Sequence, residues 1–111
     1  MSPQATNKVA ELNDLLRTTF LTGKVVFTEG VRALGDDDRS AILTQVRAFS
    51  EFTPDNDPHG EHDFGAIEQE GVGRIFWKID YYDAEYCYHS PDPADPTVTR
   101  RVLTIMLAEE Y

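Results

Sequence analysis

Apolar residues recur at helical spacing near the start of the chain. Val9, Leu12, Leu15 and Leu16 lie three and four positions apart, and Phe20 continues the series. This spacing predicts a helix over about 8–19 with that stripe turned toward a core. Thr6 or Asn7 can cap it through a side-chain oxygen, and Glu11 supports the first turns. The period then changes. Lys24 to Thr28 reads Lys-Val-Val-Phe-Thr, β-branched and aromatic, and predicts a strand that Gly30 ends. A second helix follows Gly35, with Ile42, Leu43, Val46 and Phe49 as its apolar stripe and Phe52 closing it. Asp36, Asp37 and Asp38 fall where a helix N-terminus favours negative charge. The triplet therefore reads as a capping and dipole feature rather than a metal site.

Residues 53–63 hold two prolines, one glycine and an Asn/Asp cluster, and predict a loop. Residues 64–70 alternate loosely and read as a strand, with Gly71-Val72-Gly73 as a hairpin turn. Residues 74–82 alternate clearly: Ile75, Trp77, Ile79 and Tyr81 share one face, and Phe76, Lys78, Asp80 and Tyr82 share the other. Tyr86 to Tyr88 is expected to extend the sheet. Three prolines between Ser90 and Pro96 exclude regular structure there. Residues 98–108 are apolar on both faces, which predicts a central strand, with a C-terminal helix as the competing assignment. The expected fold is α+β: one antiparallel sheet of about four strands, two helices packed on one face, and a single domain over 1–111. A strand edge beside Arg74 to Tyr82 would permit a homodimer as well as a monomer.

Length and charge sharpen this picture. A chain of 111 residues, 41% hydrophobic, supports one core and one domain. No apolar run approaches the ~20 residues of a membrane span. The first residues lack the apolar stretch of a secretory signal. Cys87 has no partner for an intrachain disulfide. These features predict a cytoplasmic protein. Cys87, flanked by Tyr86 and Tyr88, reads as a small buried hydrophobe. The net charge is −10, and its placement is uneven. Between Glu51 and Asp95 twelve carboxylates face two cations, Arg74 and Lys78, so this segment holds the whole excess while the rest of the chain balances. Such a field repels nucleic acid and favours a basic partner.

Candidate chemistry centres on the loop from Asp55 to Asp63. It concentrates His59 and His62 with Asp55, Asp57, Glu61 and Asp63. Imidazole and carboxylate are metal ligands, but the spacing matches neither His-Glu-x-x-His nor the deaminase pattern. A calcium loop beginning at Asp55 would need glutamate where Ala66 stands. Asp80 and Asp83 form a second acidic pair, read as an exposed strand end. His89 and Ser90 lack the Gly-x-Ser-x-Gly elbow of a nucleophile site. No cofactor is expected.

Several phrases resemble a bacterial family, the domain of unknown function 3768. They are Asn13-Asp14-x-x-Arg17, Asn56-Asp57-Pro58-x-Gly60-Glu61-His62-Asp63-Phe64-Gly65, Lys78-Ile79-Asp80-Tyr81-Tyr82-Asp83, the proline segment 90–96, and the stretch from Arg101 to Tyr111. The resemblance implies a stand-alone bacterial domain, often carried near mobile elements, and no established activity. That setting, by analogy, suggests an inhibitor of host defence. The leading expectation is a non-enzymatic binding protein that engages a basic protein surface. Its partner-binding residues would be Asp55, Asp57, Glu61, Asp63, Glu68, Glu70, Asp80, Asp83 and Glu85. The partner would be a nuclease or CRISPR complex whose positively charged channel accepts carboxylates in place of phosphates. The expectation from a different class is a metal-dependent enzyme centred on His59, Glu61, His62 and Asp63.

Overall fold

A computed structural model describes residues 7–111. Its elements are α1 (Lys8–Thr19), β1 (Lys24–Phe27), α2 (Glu29–Arg32), α3 (Asp36–Ala48), β2 (Phe64–Gln69), β3 (Gly73–Tyr82), β4 (Arg100–Leu107) and a closing 3-10 turn, Ala108–Glu110. The four strands form one sheet in the order β1-β4-β3-β2. The protein is α+β, as the alternating patterns predict. The sheet is mixed rather than wholly antiparallel, because β1 pairs parallel with β4, Lys24 opposite Val102 and Phe27 opposite Ile105. β2–β3 and β3–β4 are antiparallel. The chain between β1 and β4 crosses two helices and two strands, so nothing in the local sequence near β1 announces its partner.

The core lies on one face of the sheet. Ile75, Trp77 and Ile79 of β3 and Leu103 and Ile105 of β4 meet Leu16 of α1, Val31 of α2, and Ile42 and Val46 of α3. β4 is interior and apolar on both faces, which settles residues 100–107 as strand rather than helix. β3 is also interior, paired with β2 as far as Lys78 and with β4 as far as Tyr82, so the edges of the sheet are β1 and β2. The one-turn α2 has too few residues to carry a periodic signal.

α1 departs most from expectation. Its bounds are as predicted, with Asn7 accepting from the amides of Val9 and Ala10 as the cap; Thr6, the other candidate, lies outside the described residues. The buried face, however, is Ala10, Asn13, Leu16 and Arg17, while Leu15 stays exposed. Two polar side chains thus replace part of the apolar stripe, because each has partners inside. Arg17 donates through Nη1 to the carbonyls of Val46 (2.9 Å) and Arg47 (3.2 Å) at the end of α3. These carbonyls lie in the last turn of α3, where Val46 otherwise accepts only the long bond from Phe49 N–H (3.3 Å), and a cation there also suits the helix dipole. The guanidinium lies 5.4 Å from the ring centroids of both Phe52 and Trp77.

Two further expectations are corrected. Tyr86 to Tyr88 does not extend the sheet; a single bridge joins Tyr82 to His89. Asp83 turns this segment back on itself, accepting from the amides of Cys87 and Tyr88, with Tyr86 at φ +59°. For the same reason Cys87 is exposed rather than buried. The aspartate triplet opens α3 as expected, yet the cap residue is Gly35 and makes no side-chain bond.

Candidate functional site

At the end of the sheet where β3 stops and β4 begins, α1 packs against the loop 53–63 through a polar junction. Its starting point is the loop itself. Thr53 and Asn56 bond one another's amides, and Asp57 accepts from the amides of Glu61 (3.1 Å) and His62 (3.3 Å). The Asp57 side chain is only 6% exposed. Gly60 and His62 both adopt positive φ, +64° and +57°. Glycine takes that conformation without cost, whereas histidine is strained there and must be held.

The holding contacts come from α1, from Phe52 beyond the end of α3, and from the loop itself. Both carboxylate oxygens of Asp14 lie 3.0 Å from His62 Nδ1, so that nitrogen carries the proton. Nε2 lies 3.7 Å from Asp57 Oδ2 on the other side. The imidazole stacks on Phe52 at 3.9 Å between ring centroids, nearly parallel. Asp14 also pairs with Arg17 at 3.1 Å. A chain of polar contacts therefore runs from Asp57 through His62 and Asp14 to Arg17.

Beside it lies a second set of contacts. Fully buried Asn13 donates to the carbonyl of Glu61 (2.9 Å) and the hydroxyl of Tyr81 (2.8 Å), and accepts from Arg101 Nε (2.8 Å). The Tyr81 hydroxyl donates to the Glu61 carboxylate at 3.0 Å. Arg101, 5% exposed, also donates to the carbonyl of Pro93 and lies over the Tyr81 ring. Burial pushes the Tyr81 hydroxyl well above its usual range and pulls the Arg101 guanidinium below its own. Asn7, beyond capping α1, donates to the carbonyls of His59 and Gly60. The residues quoted for the family resemblance thus meet in space, a convergence that no local spacing discloses.

A cleft of about 330 Å³ opens next to this junction, lined by Asp63, Ile79, Asp80, Tyr81, Tyr82 and His89. Burial, then the neighbouring Glu61 carboxylate, raises the Asp63 carboxyl above the usual range. His89 Nδ1 donates to the carbonyl of Ser90 at 3.0 Å, so Nε2 is the ring nitrogen this bond does not engage. Sequence reasoning set His89 aside for want of a nucleophile motif; only the fold brings it to Asp63.

The acidic residues of the second half separate into two groups. Asp55, Asp57, Glu61, Asp63, Asp80, Asp83 and Glu85 lie toward the loop end, whereas Glu68 and Glu70 flank the β2–β3 hairpin at the opposite end. Glu68 pairs with Arg74 at 2.9 Å and Asp80 with Lys78 at 3.1 Å. The proposed ligand set of His59, Glu61, His62 and Asp63 does not converge. His62 faces Asp14 and Asp57, Glu61 faces Tyr81, and Asp63 faces the cleft. Among the described residues no three His, Cys, Asp or Glu side chains are placed to hold a metal ion together.

Fold and site together define a small α+β protein with a polar junction and an acidic end. The profile of the family described as "Protein of unknown function (DUF3768)" matches residues 27–110, and the chain belongs to that family. Asn13, Asp14 and Arg17 lie before the matched span, so the junction ties α1 to the family's own residues. No curated protein and no solved structure matched the chain.

Proposed function

We propose that this protein is a non-enzymatic binding protein whose acidic end engages a basic protein surface. One observation carries the reading. Of the twelve carboxylates between Glu51 and Asp95, only Glu68 and Asp80 are paired with a lysine or arginine among the described residues, and both cations come from the same segment. The balanced remainder of the chain therefore leaves the excess charge uncancelled. Glu51, Asp55 and Glu85 are exposed and make no ion pair among the described residues. Asp83 and Asp95 accept from backbone amides and remain ionised well below neutral pH. A rigid end with this charge attracts cationic surfaces quickly and in a salt-dependent way.

Glu68 and Glu70, at the far end of the hairpin, are outside the contact. Asp57 and Glu61 belong to the junction and shape the end rather than touch a partner. The partner we favour is a nucleic-acid-binding protein of the bacterial cytoplasm, a nuclease or CRISPR complex, blocked as an anti-defence inhibitor would block it. Among the described residues no helix is long and apolar enough to cross a membrane.

The test is capture from bacterial lysate on immobilised protein, with short duplex DNA as competitor. Nucleic-acid-binding proteins should be retained at low salt and displaced by the duplex. Retention that ignores duplex DNA, or that is unchanged by Glu51→Lys, Asp55→Lys and Glu85→Lys together, overturns the reading.

A further inference from the structure

The cleft at the acidic end is a notch in the sheet. β2 pairs with β3 from Gln69 back to Phe64, and one more bond, from Ile79 N–H to the Asp63 carbonyl (2.8 Å), ends the ladder. Beyond it the same side of β3 is next met at Tyr82 by His89, with Ser90 N–H donating to the Tyr81 carbonyl. Between these two points the strand has no hydrogen-bonded neighbour on that side among the described residues. In an antiparallel ladder the N–H and C=O of one residue point to the same side, so the Ile79 carbonyl faces the notch. Asp63 N–H does not return a bond to it among the described residues.

The walls supply what a cation needs. Asp63 has no ion pair and no hydrogen bond to another side chain among the described residues, while the second carboxylate, Asp80, already holds Lys78. Tyr81, Tyr82 and His89 provide aromatic surface. The molecule shows how it seats its own guanidinium groups. Arg17 lies against Phe52 and Trp77, paired with Asp14 and bonded to the carbonyls of Val46 and Arg47. Carboxylate, backbone carbonyl and aromatic face recur at the notch with no guanidinium seated there among the described residues. A guanidinium matches this set best, because its several N–H donors can reach a carboxylate and a carbonyl together while its plane meets a ring.

We propose that the notch between Asp63 and His89 receives an arginine side chain of the basic partner, with the Asp63 carboxylate and the Ile79 carbonyl as acceptors. This rests on the reading of the acidic end as the contact surface and names the group that anchors there. An arginine seated in a cleft at the centre of such a contact is a frequent source of binding energy.

The test is a titration of ¹⁵N-labelled protein followed by amide shifts. The probe is N-acetyl-arginine methylamide, with the isosteric neutral citrulline compound as control. The arginine compound should shift the amides of Asp63, Tyr81, Tyr82 and His89 saturably, and the citrulline compound should bind about tenfold more weakly. Asp63→Asn should weaken the arginine compound by a similar factor. Equal binding of the two compounds overturns the proposal, with no variant needed. So do non-saturating shifts led by Glu51, Asp55 and Glu85. Those three residues do not line the notch, so a notch that fails while salt-sensitive capture persists removes the anchor and leaves the acidic end standing.

Discussion

Both carboxylate oxygens of Asp14 lie 3.0 Å from Nδ1 of His62, a residue 48 positions later in the chain. This contact holds an imidazole in a left-handed backbone conformation that histidine alone would avoid, and it fixes the loop 53–63 against α1. Asp14 also neutralises Arg17, so its removal reaches two partners. Asp14→Asn should cost roughly 1–3 kcal/mol in urea denaturation. Combined with His62→Ala in a double-mutant cycle it should show a coupling of ~0.5 kcal/mol or more. Strict additivity would mean that the contact does not support the loop.

Asn13 has a different role, because it is fully buried and serves three partners. Asn13→Leu keeps the branched outline of the side chain, at a larger volume, but strands the Arg101 Nε donor and the Glu61 carbonyl. It should lower stability by about 3 kcal/mol or more, since each orphaned buried group costs ~1–3 kcal/mol. Chemical denaturation measures this directly.

Gly65 tests the packing of the core where β2 crosses Trp77. A Cβ at this position would stand 2.4 Å from Trp77 Nε1 and 2.6 Å from Cε2. The indole is wholly buried and hemmed in by Phe49 and Phe52. Gly65→Ala should therefore cost ~1–3 kcal/mol through overpacking and change the fluorescence of the only tryptophan.

These three sites also mark what a reader of the sequence can and cannot see. The period of Ile75, Trp77 and Ile79 identifies the core face of β3, and the double apolar face of residues 100–107 identifies a central strand, because both signals are local. The α1 stripe misleads at Leu15 and hides Asn13 and Arg17. Hydropathy scores those two as surface, while their partners, the α3 carbonyls and the Glu61 and Tyr81 groups, come from distant parts of the chain. The parallel pairing of β1 with β4 is invisible for the same reason. The loop histidines invite a metal reading because spacing shows proximity in sequence but not direction in space.

Asp63 gives a pH signature of definite sign. Burial raises its carboxyl in the folded protein above the ordinary value of 3.8. The folded state then binds the proton more readily than the unfolded chain, so ionisation destabilises as pH rises through that interval. Asp63→Asn should stabilise the protein at neutral pH, and the gain should vanish below about pH 3.8, where both states are protonated. Thermal unfolding at the two pH values checks this. Glu110 has the opposite sign: Thr28 and the amides of Leu107 and Gly30 hold its carboxyl below the usual range, so its contribution is lost on acidification.

The most direct test of the acidic end is the salt dependence of partner binding by the wild-type protein and by the Glu51→Lys, Asp55→Lys, Glu85→Lys triple variant. These positions are exposed and outside the junction, so the fold should be kept. Wild-type affinity should fall steeply as ionic strength rises from about 0.05 to 0.5 M, and the variant should bind weakly throughout with little slope. Equal affinity and equal slope for the two proteins would contradict the assignment of this surface as the contact.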